Sequence, residues 1–220
     1  MQDTQKAIIA ATATYVEELL SGEGSGHDWW HIYRVWQNAK SIAAHEAADM
    51  STVELAALLH DIGDHKFHNG DETVGPRMAR EWLEKQNVEE QTIIHVCSII
   101  KDLSFKGANT TSAMPTIEGC IVQDADRLDA IGAIGIARTF AYGGHKNREL
   151  YNPKIKPVLH DSFEAYKSST APTINHFYEK LLLLKDRMHT ETARKLAMQR
   201  HEYMEGFLAQ FYAEWGEIND

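Results

Sequence analysis

The chain has 220 residues, of which 43% are apolar and 25% charged, the balance of a globular protein with room for a sizeable core. Its net charge of -10 argues against nucleic acid or an anionic membrane as the main partner, though a small anionic substrate can still find a locally positive site. No apolar stretch reaches the roughly 20 residues that a membrane-spanning helix needs.

The first segment, MQDTQKAIIAATATYVEELL, lacks a basic region followed by an uninterrupted apolar core. Its apolar positions Ile8, Ile9, Val16, Leu19 and Leu20 suit an ordinary amphipathic helix, and it is not expected to be a secretory signal. From Asp28 to Ala48 the apolar positions Ile32, Val35, Trp36, Ala39, Ile42, Ala43 and Ala47 follow a 3.6-residue stripe, and His31 sits one turn before Val35. STVE at 51–54 has the form of a capping box, with Ser51 as N-cap and Glu54 at N3. The helix it opens is apolar on most sides and ends in LLHDIGDHKF, 58–67.

Two further helices are expected over 73–86 and 89–103, the second with Ile93, Val96, Cys97 and Ile100 on one face and His95 on the other. Another runs from about Thr116 through Leu128 and continues to Tyr142 after a kink near Gly132. The stretch YGGHKNRELYNPKIKP, 142–157, holds two Gly, two Pro and four Lys/Arg against one Glu; it reads as a surface loop whose charge also suits a lid over phosphates. Helices are expected over 172–188 and 191–215, the latter carrying Tyr203, Phe207, Phe211 and Trp215 as core residues. No alternating strand, repeat or low-complexity linker stands out. The expectation is an all-α, single-domain helical bundle over 1–220, with the motif-bearing core at about 25–140 and the C-terminal helices of 158–216 packed on it. Cys97 and Cys120 lie in apolar segments without a CxxC and are expected as buried thiols in a reducing cytosol, which makes the localisation cytoplasmic.

The chemistry starts at His60 and Asp61. Burying an imidazole and a carboxylate at the end of an apolar helix costs several kcal/mol unless each finds a partner. The dipeptide alone is weak, because it occurs three times, at His27-Asp28, His60-Asp61 and His160-Asp161. Only the middle pair terminates a strongly apolar helix, and imidazole nitrogen with carboxylate oxygen suits a divalent first-row ion. Two ligands seldom hold such an ion. His31, and the pair Asp126 and Asp129 within ADRLDA, offer more, and periodicity alone does not choose Asp126 over Asp124 or Asp129, nor His31 over His27.

The segments GHDWWHIYRV, LLHDIGD, DLSFKG and QDADRLDAIGAIGIAR together resemble the HD-domain phosphohydrolase superfamily, in particular its small stand-alone bacterial members that include nucleotide pyrophosphohydrolases, over roughly residues 25–140. The resemblance implies His31, His60, Asp61 and Asp126 as ligands of one divalent ion, with Mn2+ foremost and Mg2+, Ni2+, Co2+, Fe2+ and Zn2+ compatible with the same donors. It implies Asp64 as a catalytic group in proton transfer. Around the ion's open face basic side chains are needed for phosphoryl transfer: Arg34, counted with the catalytic residues, and Lys66, Lys101, Lys106, Arg127, Lys146 and Arg148 as substrate-binding candidates, with His95 beside them. The expected substrate is a phosphoester, a nucleotide cut to monophosphate and pyrophosphate; a phosphodiesterase, a phosphomonoesterase and a non-catalytic binding module of the same fold are the alternatives. HDIG is followed here by Asp64, where the cyclic-dinucleotide phosphodiesterases have Lys, and no downstream set of histidines like theirs for a second metal appears, which favours a single ion and disfavours a cyclic dinucleotide.

Other metal and phosphate sites fail on spacing. None of the twelve histidines has Glu three positions earlier, as a di-iron bundle requires. His45-Glu46 and His201-Glu202 lack the second His of a zinc protease, and GEGSG at 22–26 lacks the Lys-Ser/Thr of a phosphate loop. The sequence leaves the oligomeric state open.

Overall fold

A computed structural model describes residues 2–21, 28–63, 71, 73–103, 114–159 and 170–216. The described residues are helical and contain no strand, in accord with the all-α expectation. In chain order the helices are α1 (Gln2–Leu19), α2 (Trp29–Ala43), α3 (Met50–Leu59), α4 (Val74–Lys85), α5 (Glu90–Asp102), α6 (Ile117–Asp129), α7 (Gly132–His145), α8 (Asn175–Glu179), a 3-10 helix (Leu181–Arg187) and α9 (Glu191–Trp215). Two compact units are distinguishable, one comprising Met1–Ser104 with Ser112–Asp126, the other including Arg127–Asp220.

In the first unit α3 is the hub, packing on α1, α2 and α5, while α4 lies along α5. Its length explains the apolar run: Val53 and Leu55 to Leu59 are all at most 1% exposed. A ten-residue helix covered on every side needs no polar face, and needs instead a polar residue that stops it. Its start differs from the capping-box expectation. The N-cap is Asp49, whose carboxylate accepts from the Ser51 and Thr52 backbone N–H groups at 3.2 and 3.3 Å and from the Thr52 hydroxyl at 2.6 Å. Two carboxylate oxygens satisfy more orphan donors than one hydroxyl and carry the charge that a helix N-terminus favours. Glu54 is thereby released to accept the Trp36 indole N–H at 2.8 Å. α2 ends at Ala43, short of the expected Ala48.

Two side chains tie α6 into this unit. Asn38 Nδ2 of α2 donates to the Ala125 carbonyl at 3.4 Å, and the Glu118 carboxylate accepts the Asp49 backbone N–H at 2.9 Å. The next helix, α5, is pinned to the start of α4 by the Cys97 thiol, which donates to the Pro76 carbonyl at 3.3 Å. Cys97 and Cys120 are both free thiols, but each is half-buried where a buried one was expected; partial burial pushes the Cys97 thiol above its ordinary value.

In the second unit α9 packs on α7 and on the 3-10 helix. The expected kink near Gly132 is a break: Gly132 has φ +77°, and its missing Cβ would stand 3.0 Å from Arg200 Cγ. The expected helix over 172–188 is instead α8 followed by the 3-10 turn, separated at Lys180 (φ -143°, ψ -58°). Leu181 and Leu184, three apart, both point inward in a three-residue repeat, so the apolar spacing fits either helix type. The aromatic residues of α9 form part of a cluster: Phe207 stacks on the fully buried Phe177 at 5.8 Å, and Phe211 on Trp215 at 5.7 Å. Tyr203 and Trp215 depart from the core expectation, being 59% and 44% exposed. Of the basic stretch 142–157, Tyr142 to His145 belong to α7, and the residues after them carry no helix. No helix among the described residues is long and apolar enough to cross a membrane.

Candidate metal centre

His31 enters the core because α2 begins just before it. Asp28 is the N-cap and accepts the His31 backbone N–H at 2.9 Å, which sets His31 in the first turn on the same side as Ile32 and Val35. His31 is buried to 1% exposure. His60 is the C-cap of α3, where the helix gives out and its side chain can leave the apolar packing. Its Nδ1 lies 2.8 Å from the Ala57 carbonyl, an acceptor only, so Nδ1 carries the proton and Nε2 presents a lone pair. That Nε2 is buried without a hydrogen-bond partner among the described residues.

Around it stand three more atoms. Asp61 Oδ2 lies 3.6 Å from His60 Nε2 and 3.4 Å from His31 Nε2. Asp126 Oδ1 lies 3.6 Å from His31 Nε2 and 4.0 Å from His60 Nε2. The donor atoms of His31, His60 and Asp126 are mutually within 4.8 Å, and the two imidazole rings meet edge to face at 5.3 Å.

A lone pair of His60 facing two carboxylates is unfavourable by itself, and a cation at the centre reverses the sign. Divalent first-row ions lie about 2.0–2.2 Å from imidazole nitrogen and carboxylate oxygen, which sets adjacent donors roughly 3.0–3.6 Å apart. The observed separations match that span or slightly exceed it, so the residues fit the ion. The two carboxylates balance its charge. The cluster is closed at the histidines and open at the aspartates: the side chains of His31 and His60 are 2% and 4% exposed, those of Asp61 and Asp126 20% and 40%.

Periodicity left the choice among three aspartates open, and the structure separates them. Asp126 faces the histidines, Asp124 is fully buried, and Asp129 is buried in an ion pair with Arg138. Asn38 does not stand out in the sequence, although it lies seven residues after His31 and so returns to the same face of α2. By holding the Ala125 carbonyl it fixes the turn of α6 that carries Asp126.

The remaining candidates divide. Arg34, one turn beyond His31 on α2, is half-buried. His95 Nε2 is 3.0 Å from the Thr116 hydroxyl and 3.8 Å from Glu118, and Lys101 is exposed in the last turn of α5. Arg127 donates to the Arg187 carbonyl and lies 3.1 Å from His189 Nε2, both in the second unit. Lys146 and Arg148, in the same unit, each lie 5.6 Å from the Tyr142 ring. Asp64, Lys66 and Lys106 lie outside the described residues.

The HD domain family matches residues 29–131, which contain all four converging side chains. The Bacillus subtilis protein YpgQ is 42% identical over 200 residues, covering 90% of this chain and 88% of its own. Among solved structures, an HD-superfamily hydrolase of Bacillus thuringiensis is 45% identical with a TM-score of 0.77, covering 96% of this chain and 98% of its own. The structure of B. subtilis YpgQ in complex with ADP gives a TM-score of 0.76 at 36% identity, with 96% of each chain covered. The chain belongs to the HD-domain superfamily and is a metal-dependent phosphohydrolase.

Proposed function

We propose that the protein hydrolyses nucleoside triphosphates, or their deoxy forms, to the monophosphate and pyrophosphate, with Mn2+ as the ion. The observation that carries the substrate class is the ADP complex of YpgQ, a relative matched over 96% of this chain. His31, His60, Asp61 and Asp126 are the proposed ligands. Mixed nitrogen and carboxylate donors suit Mn2+ and its first-row neighbours, and the cellular choice then follows metal availability. Bound there, the ion supplies Lewis-acid charge neutralisation and an acidified water.

The chain's own groups do the rest. The Ala57 carbonyl holds His60 in the tautomer that leaves Nε2 as an acceptor. Asn38 and Glu118 hold α6, and with it Asp126, against α2 and α3. Arg34, on the helix of His31, is assigned to the phosphate oxygens, where a guanidinium matches their geometry and charge. In the proposed reaction a water oxygen bonds to the α-phosphorus, the bond from that phosphorus to the bridging oxygen breaks, and pyrophosphate leaves. Asp64 is the proposed acceptor of the water proton. His95, Lys66, Lys101, Lys106, Arg127, Lys146 and Arg148 remain the proposed contacts to the substrate.

The test is product analysis. The purified protein is incubated with Mn2+ and a panel of nucleoside tri-, di- and monophosphates, beside Asp61→Ala, and products are resolved by ion-exchange chromatography. Monophosphate and pyrophosphate from the wild type alone support the proposal. Release of orthophosphate would replace it with a phosphomonoesterase.

A further inference from the structure

Directly after the His60-Asp61 pair the chain makes a contact that no side chain mediates. Gly63 lies in the turn that follows α3 and is buried. A Cβ placed on it would stand 2.7 Å from the Gly75 backbone nitrogen, 2.8 Å from Gly75 Cα and 3.0 Å from the Val74 carbonyl carbon. These are backbone atoms of the first turn of α4, and they cannot rotate aside as a flexible side chain does. α4 itself is held: Pro76 accepts the Cys97 thiol of α5, and Ile100 of α5 stands behind Gly75. The reverse addition is mild. A Cβ on Gly75 would meet Ile100 Cγ2 at 3.4 Å and the Gly63 carbonyl oxygen at 3.6 Å, both ordinary contacts.

We infer that Gly63 is a positioning residue for the metal centre: its backbone seats the turn against the start of α4, and this seat sets where Asp61 and His60 point. The inference rests on the ligand assignment proposed above. Its magnitude follows from the distances. To move a Cβ from 2.7 Å to an ordinary 3.4 Å contact, the turn must recede by about 0.7 Å, with Asp61 two residues away. Metal ligands tolerate distance errors of only about 0.2 Å. A supporting group around a metal centre is typically worth about 10–100-fold in metal affinity, and Gly63 is placed in that range.

The experiment titrates metal-free full-length protein with Mn2+, following the free-ion electron paramagnetic resonance signal, for the wild type, Gly63→Ala, Gly75→Ala and Asp61→Ala. The Kd of Gly63→Ala is expected to rise at least about tenfold, and that of Gly75→Ala to stay within about threefold. Asp61→Ala is expected to lose the site. If Asp61→Ala binds Mn2+ as the wild type does, the ligand assignment falls and this inference with it. If Asp61→Ala loses binding while Gly63→Ala binds as the wild type does, the ligands stand and the positioning role is refuted. An equal loss in Gly75→Ala and Gly63→Ala also refutes it, because only the Gly63 Cβ would come closer to backbone than ordinary contact allows. If Gly63→Ala does not fold, Gly63→Ala/Ile100→Leu decides: removing Ile100 Cγ2 gives Gly75 room to recede. Recovery of fold and Mn2+ binding then supports the clash as the cause, and no recovery overturns it.

Discussion

Replacing Asp126 by Asn separates a ligand from a structural partner. Its Oδ1 lies 3.6 and 4.0 Å from the two histidine Nε2 atoms, and Asp61 reaches the same nitrogens at 3.4 and 3.6 Å. Without the ion, two carboxylates crowd one space, so removing one charge should leave the metal-free protein as stable as before or slightly more so. Its 40% exposure keeps that gain small, below about 1 kcal/mol. With Mn2+ at one hundred times Kd, the wild type gains about 2.7 kcal/mol. For a chain of this size that raises Tm by roughly 5–11 °C. A hundredfold loss of affinity in Asp126→Asn leaves about 0.4 kcal/mol, roughly 1 °C, at the same Mn2+ concentration. The assay is differential scanning fluorimetry with and without Mn2+. An equal Mn2+-induced rise in variant and wild type would rule out Asp126 as a ligand, as would a metal-free variant several degrees less stable.

Three further outcomes are expected. Asp49→Ala should cost about 1 kcal/mol in urea unfolding through loss of the α3 cap, whereas Ser51→Ala should cost a few tenths at most. Phe177→Ala removes a fully buried ring packed on Phe140 and Phe207 at 6.2 and 5.8 Å, and should cost about 3–5 kcal/mol in the same assay. Burial, with Lys180 and Arg148 nearby, lowers the His176 pKa from 6.5 to about 3, so the unfolded chain takes up this proton at a pH where the folded protein does not. Stability present above pH 6.5 should therefore fall as the pH drops toward 3, and urea midpoints at pH 7, 6, 5 and 4 should fall less steeply in His176→Gln.

The sequence carried the helices whose apolar stripe is long and one-sided. α4, α5 and α9 begin and end within a residue of the expectation, because each presents one face to a core and polar residues elsewhere. Where two local solutions compete, periodicity does not decide. Ser51 and Asp49 can both cap α3, and the carboxylate wins by satisfying three donors. Leu181 and Leu184 suit an α-helix or a 3-10 turn equally, and the backbone at Lys180 settles it. The His60-Asp61 pair was legible because it ends an apolar helix. Asp126 was not legible from spacing alone, since its distinction from Asp124 and Asp129 depends on how Asn38 and Glu118 orient α6 across 87 and 69 residues of sequence. The Gly63–Gly75 approach could not be read at all, because a backbone contact between a turn and a helix leaves no pattern of side chains.

The proposed ligand set places one divalent ion among His31, His60, Asp61 and Asp126. The most direct measurement is an anomalous difference map, at the manganese absorption edge, from crystals of the full chain grown with Mn2+. One peak is expected, within bonding distance of both Nε2 atoms and of an oxygen from each aspartate. A map with no peak there, or with its strongest peak bound by other residues, would overturn this ligand set.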